Sequence, residues 1–333
     1  MRNLAALVAK PDAEAAIDSL KAEGVYDDSR RVVSHDDETV ELPILTAPSE
    51  TAVFDVIHQR NPERRTRTLE DVLATRGWTD AELEHAPTSW AVIGSVVLVQ
   101  LPDETPRPEE VGEALLTLHG EADTVLSREG ISGELREPSG TVLAGTGDTE
   151  TVHTEHGTKY ALDLAQVMFS PGNQAERARM GEVVEKDERV FDMFAGIGYF
   201  TLPMARAGAS VTATERNPNS FKFLAENAML NGVTDRVNAI LADCRDVDVS
   251  AERVVMGYYD AYEYLDLALA ALESGGTLHM HATTPEKLLW ERPLDRLTAA
   301  TAETDRSVEI LDTRKVKSHS EGVWHVVVDA RID

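Results

Sequence analysis

In the C-terminal half of the chain, apolar residues come in short, nearly continuous runs: "RVFDMFA" from Arg189, "SVTATE" from Ser210, "VNAILADC" from Val237, "RVVMGY" from Arg253 and "TLHMHATT" from Thr277. Runs this short and this apolar belong to strands covered on both faces, as in a parallel sheet. Between them lie segments with helical spacing: one from residue 199, "PNSFKFLAENAMLNG", "AYEYLDLALAALESGG", and one near 286–304. The alternation predicts a doubly wound α/β sheet. The last two runs, "SVEILDTRKVKS" and "GVWHVVVDARI", meet across the polar turn "SHSEG" and predict an antiparallel hairpin closing one edge.

The N-terminal half has other rhythms. Residues 1–48 read strand, helix, strand, strand ("NLAALVAK", "DAEAAIDSLKAEG", "RRVVSH", "TVELPIL"), with Asp12 placed to cap the helix and Gly24 to stop it, a small α/β module. Residues 49–88 are polar and predict a helical linker; arginines at 60, 64, 65, 67 and 76 give it a phosphate-binding look or, equally, a solvated helix face. Residues 89–164 carry short alternating strands around one helix, "PEEVGEALLTLHG", a β-rich α+β domain, and the catalytic sheet is expected over 165–333.

Charge changes the setting rather than the fold. With 59 Asp and Glu against 32 Lys and Arg, the net charge is −27 over 333 residues, and lysine occurs at only eight positions. Such a carboxylate-rich surface predicts a halophilic archaeal cytoplasm, where hydrated acids keep a protein soluble. Acidity normally argues against a nucleic-acid partner, but at about 1 M salt the Debye length is only about 3 Å, so local contacts decide. Cys244 is the single cysteine, which excludes a disulfide framework. The longest apolar segment, "WAVIGSVVLVQL" at 90–101, is about half of what a bilayer needs. The reading is a soluble, cytoplasmic protein with no membrane contact.

The turn after the first strand of the sheet names a ligand class. Gly196 and Gly198 let backbone approach a ligand, but the third glycine of a dinucleotide fingerprint is replaced by Thr201, which disfavours pyrophosphate and hence a nicotinamide oxidoreductase. Three acids end three consecutive strands: Asp192, Glu215 and Asp243. Glu215 is placed to accept ribose hydroxyls, and Asp243, with the Cys244 N–H, to read adenine. Each alone can be a solvated or capping carboxylate. Together they suit a cationic adenosyl ligand without phosphates, S-adenosylmethionine.

At this point the motifs "FDMFAGIGYFTLPMA", "TERNP", "AENAMLNGV" and "ADCRDV" become recognisable. The chain resembles the archaeal wybutosine-pathway tRNA-Phe (4-demethylwyosine) aminocarboxypropyltransferase family, related to the tRNA (guanine-37-N1) methyltransferases. The methyltransferases carry an Asn-Leu-Pro type signature after the fourth strand, where this chain reads "VVMGYYDAYEYL"; "HMHATTPEKLLWERP" and "EGVWHVVVDARI" look like the aminocarboxypropyl branch. The resemblance implies a class I methyltransferase-like, Rossmann-like fold. It also implies transfer of the 3-amino-3-carboxypropyl group of S-adenosylmethionine to 4-demethylwyosine at position 37 of tRNA-Phe, with 5′-methylthioadenosine released. Methyl transfer to guanine-37 is the alternative, and a non-catalytic RNA-binding relative is disfavoured by the intact nucleoside acids. Carried onto this sequence, "FSPGNQAER" puts Ser170 and Arg177 at cofactor contacts. Phe194, Gly196, Gly198 and Asn217 fall there through the glycine turn and "TERNP", and Gly257 borders the donor. Glu176 matches the glutamate that serves the methyltransferases as general base. His279 and His281 are expected to be packing or capping residues, with no third ligand for a metal. The tRNA anticodon region is the expected partner, held in part by the N-terminal modules through shape and an extruded base.

Overall fold

The computed structural model describes residues 3–59, 62–63, 65 and 68–333. It divides into two compact units, Met1–Glu84 and His85–Asp333.

The first unit is built on an antiparallel sheet in the order Val33–Ser34, Thr39–Pro43, Leu4–Ala9, Asp55–His58. The helix Ala13–Ala22 buries Ala16 and Leu20, and a core of Ala6, Val8, Leu20, Tyr26, Leu42 and Ile44 results. The strand Asp55–His58 corrects the expected polar helical linker over 49–88, because that segment supplies an edge of the first sheet. Helix appears later, at Leu69–Thr75 and Asp80–Leu83, each opened by a capping box (Thr68 with Asp71, Thr79 with Glu82). Arg30 ties the module together: its guanidinium donates to Asp27 at 2.7 Å, Gln59 at 3.1 Å, and the carbonyls of Leu4 at 2.8 Å and Ile44 at 2.9 Å.

The second unit joins what composition separates at residue 164. A four-stranded sheet runs Trp90–Ile93, Val96–Val99, Thr124–Ser132, Glu137–Gly145, with the helix Pro108–Leu118 crossing between its two parallel strands. The hairpin Glu150–Glu155/Thr158–Asp163 packs on the helix Pro218–Leu230, where buried Asn227 accepts from Ala161 N at 2.6 Å and donates to its carbonyl at 3.0 Å. One apolar core therefore runs from Ile93, Val96 and Leu126 through Tyr160 to Phe200 and Val211.

The large sheet has seven strands, in the order Val237–Leu241, Ser210–Glu215, Arg189–Asp192, Ala251–Met256, Leu272–Pro285, Val323–Ile332, Val308–Ser320. The first five are parallel and the last two form the antiparallel hairpin. The segment "ESGG", expected to end a helix, instead begins the fifth strand, after a helix that stops at Ala271. Strand order reverses around Arg189–Asp192, so a crevice opens beyond its carboxyl end and those of its neighbours.

Candidate functional site

That crevice is a cavity of about 1200 Å³, open mouth included. Its floor is the turn after Asp192. Gly196 and Gly198 hold φ of +59° and +100°, a region that side chains with a Cβ rarely occupy. A Cβ on Gly196 would stand 2.3 Å from the Tyr199 ring, and one on Gly198 2.7 Å from Leu202. Gly196 lines the cavity, whereas Gly198 is a packing glycine behind it.

Each strand-end acid has a distinct state. Asp192 is fully buried and does not line the cavity; Thr201 Oγ1 donates to it at 2.7 Å and Phe194 N at 3.4 Å, and burial lifts its carboxyl to about 6. It pins the turn. Glu215 does line the cavity: Gly196 N donates to Oε2 at 2.8 Å and Asn217 N to Oε1 at 2.6 Å. Burial raises its carboxyl above the ordinary range against those donors and the Arg216 backbone N–H. Asp243 also lines the cavity and takes the Arg245 backbone at 3.0 Å and its side chain at 2.8 and 2.7 Å. The Arg245 hydrogen bonds hold the Asp243 carboxyl down to about 2. Next to it burial pushes the Cys244 thiol up to about 12, so this cysteine packs as a thiol.

The remaining expected residues separate into two groups. Ser170, Arg177, Phe194 and Gly257 line the cavity. Arg177 is clamped by Glu155 at 2.6 and 2.7 Å and donates to the Ser170 carbonyl at 3.0 Å, while Lys317 Nζ donates to Ser170 Oγ. Asn217 does not line it: its side chain caps the following helix through Asn219 N at 2.9 Å and donates to the Leu135 carbonyl at 3.0 Å. Glu176, expected as general base, stands apart from the cavity lining. Its carboxylate is buried and accepts both Nε and Nη2 of Arg314, the former at 2.8 Å. Of the arginine cluster, Arg60, Arg64 and Arg67 lie outside the described residues; Arg65 pairs with Asp28 at 2.9 Å and Arg76 caps the helix Leu69–Thr75.

Several lining residues carry no motif. The turn of the Thr124–Ser132/Glu137–Gly145 hairpin brings Glu134, Leu135 and Arg136 over the cavity, and Arg136 sits 5.7 and 5.5 Å from the Tyr258 and Tyr259 rings. Phe194 packs against Tyr258 at 5.3 Å and Tyr264 at 5.1 Å. The lining mixes aromatic faces with carboxylates (Glu134, Glu215, Asp243) and arginines (Arg136, Arg177, Arg216). His279 packs as expected, buried between Arg253 and Asp329 at 2.6 Å each, but His281 lines the cavity with His325. The alternation "HMH" was the available signal, and its partner on the last strand was not readable from it.

Residues 151–311 match the TRM5/TYW2 methyltransferase domain, and residues 69–149 the TYW2 N-terminal domain. The tRNA(Phe) (4-demethylwyosine(37)-C(7)) aminocarboxypropyltransferase of Pyrococcus horikoshii is 43% identical over 251 residues, which covers 74% of this chain and 90% of that protein. The crystal structure of P. horikoshii TYW2 in complex with MeSAdo aligns with a TM-score of 0.70 at 39% identity, covering 80% of this chain and 99% of that one. The crystal structure of Trm5b from Pyrococcus abyssi aligns over 99% of both chains, with a TM-score of 0.78 at 29% identity.

Proposed function

The chain belongs to the TRM5/TYW2 family of S-adenosylmethionine-dependent tRNA-modifying enzymes, and from that premise we propose that it is a tRNA-Phe aminocarboxypropyltransferase. It moves the 3-amino-3-carboxypropyl group of S-adenosylmethionine to C7 of 4-demethylwyosine at position 37 and releases 5′-methylthioadenosine. The observation that carries this choice is similarity: each over 74% of the chain, 43% identity to the Pyrococcus horikoshii aminocarboxypropyltransferase against 33% to Trm5b of Pyrococcus abyssi. The relative bound to MeSAdo supports it, since that thioether is what the donor becomes.

In this reading Glu215 accepts the ribose hydroxyls, and Asp243 Oδ2 and Cys244 N meet the adenine edge. The sulfonium lies among the aromatic rings. It activates three carbons alike, so the product depends on which carbon is held against the nucleophile. Gly257 and Tyr258 take the place of the Asn-Pro corner of the methyl-transfer branch, and Gly257 leaves room beside Phe200, whose ring a Cβ would meet at 2.8 Å. The acceptor is presented by the anticodon region of tRNA-Phe, and the −27 surface fits work in a cytoplasm of molar salt. Among the described residues no helix is long and apolar enough to cross a membrane. The test is the small product: methylthioadenosine supports the assignment, and S-adenosylhomocysteine moves the enzyme to the methyltransferase branch.

A further inference from the structure

The nucleoside contacts leave one part of the cavity unused. His281 lies opposite Val327 and His325 opposite Thr283 in the antiparallel ladder, so the two histidines are diagonal neighbours on one face. Their inner nitrogens, His281 Nδ1 and His325 Nε2, are 3.0 Å apart. Both rings line the cavity, with exposures of only 2% and 0%. Phe200 holds the first ring at 5.1 Å and Tyr259 the second at 4.9 Å. The outer nitrogens, His281 Nε2 and His325 Nδ1, have no hydrogen-bond partner among the described residues. Buried polar atoms are rarely left this way, and a pair of them in a ligand cavity points to a bound group that completes them.

The pair has a property that neither ring has alone. If His281 Nδ1–H donates to His325 Nε2, then His281 Nε2 carries a lone pair and His325 Nδ1 a proton. In the opposite tautomer the roles exchange. A neutral pair therefore always offers one outer acceptor and one outer donor. We propose that His281 and His325 form the proton-accepting relay of the transfer reaction, a reading that rests on the carbon alkylation assigned above. As the π electrons of the acceptor carbon form the bond to the donor's γ-carbon, the γ-carbon–sulfur pair departs onto sulfur and leaves a neutral thioether. The alkylated ring is then cationic, and its C7 proton passes to the outer lone pair while the C–H electrons restore the ring. The inner proton shifts across the pair, and the far outer nitrogen passes its own to water that enters the cavity as the products leave, which returns the pair to neutrality.

The surroundings keep the pair neutral. Burial brings His281 down to about 3, helped by Arg314 and His279 against Asp329. Burial brings His325 to about 2, helped by His281, Lys317 and His319 against Glu176. Such a weak base is sufficient, because a proton on an alkylated cationic ring is strongly acidic. Glu176 is absent from the cavity lining and held by Arg314.

Two substitutions separate this role from packing. His281→Asn keeps an amide where Nδ1 stands, and His325→Gln keeps one where Nε2 stands; each removes only the outer nitrogen. With full-length enzyme and tRNA carrying 4-demethylwyosine, each variant is expected to slow single-turnover transfer by about 100-fold, the usual weight of general base catalysis. The cofactor dissociation constant should stay within threefold of the parent's, and deuterium at C7 should give a larger isotope effect than in the parent. His281→Ala should regain rate with added imidazoles in order of their basicity. Folded variants that transfer within threefold of the parent, without an isotope effect, overturn the proposal, and either variant alone decides it. A parent enzyme that transfers no aminocarboxypropyl group would instead overturn the assigned reaction.

Discussion

Glu215 shows how one residue sets the ligand chemistry. Backbone N–H groups of Gly196 and Asn217 fix its carboxylate at the end of the second strand, where it lines the cavity and suits a vicinal diol. Hydrogen bonds to an ionised group contribute about 1.5–3 kcal/mol each. Glu215→Ala is therefore expected to raise the S-adenosylmethionine dissociation constant at least tenfold, about 1.4 kcal/mol, by calorimetric titration; unchanged affinity in a folded variant would remove Glu215 from the site. Its raised pKa has a direction too. The ionised form binds, so affinity should weaken as pH falls, starting above the ordinary glutamate value of about 4.3. Asp192 and Thr201 illustrate what sequence could and could not convey. The missing third glycine at Thr201, which disfavours a pyrophosphate, could be read from the sequence. That the Thr201 hydroxyl bonds Asp192 and turns that acid into a strut could not, because a carboxylate at a strand end looks the same whether it meets ligand or threonine.

At the scale of elements, the helix Gln174–Val183 is tied to the C-terminal hairpin by buried charge. Glu176 meets Arg314, Arg314 meets Asp329 at 2.7 Å, and Asp329 meets His279 at 2.6 Å. Glu176→Ala removes two charged hydrogen bonds but leaves Arg314 paired with Asp329 and Asp312, so it should cost about 1.5–3 kcal/mol in denaturant unfolding while cofactor affinity stays within threefold. A tenfold loss of affinity in a folded variant would return Glu176 to the site. Burial alone would raise the Asp329 carboxyl, but His279 and Arg314 outweigh it and hold it well below the usual range. Its stabilising effect is thus complete above the unfolded value of about 3.9 and lost as pH falls toward the depressed native one. The destabilisation by Asp329→Asn should shrink over that interval. Elements whose pattern is local were readable: "SVTATE" is the strand Ser210–Glu215 to the residue, because its β-branched and small residues run between a glycine-stopped helix and the next helix-opening Asn-Pro. The strand Asp55–His58 was not, because it sits in a polar context and its partner, Leu4–Ala9, lies some fifty residues upstream. The hairpin turn at Glu134–Arg136 was equally hidden: it reaches the cavity by tertiary packing, and nothing in its composition marks a ligand.

At the scale of the molecule, every nucleoside contact named here lies in the unit His85–Asp333, which has its own core. The unit Met1–Glu84 also has its own core, and we propose that it contributes to tRNA binding. Deleting residues 1–84 should leave cofactor affinity within threefold and weaken tRNA binding at least tenfold at molar salt; equal tRNA affinity would sink this division of labour. The parallel sheet, its antiparallel edge and its adenosyl ligand class were legible because strand runs, turn glycines and strand-end acids are all local signals. Reaction choice is different in kind, for the adenosine contacts serve methyl and aminocarboxypropyl transfer equally. It depends on which sulfonium carbon stands about 3–3.5 Å from the acceptor, a matter of tail placement around Gly257 and Tyr258. The most direct measurement supplies S-adenosylmethionine labelled either in the methyl or in the carboxyl group to the enzyme with tRNA-Phe bearing 4-demethylwyosine. The account predicts carboxyl label in the tRNA, none from the methyl group, and no labelling of unmodified transcript. Methyl label entering a transcript with guanine at position 37 would contradict it.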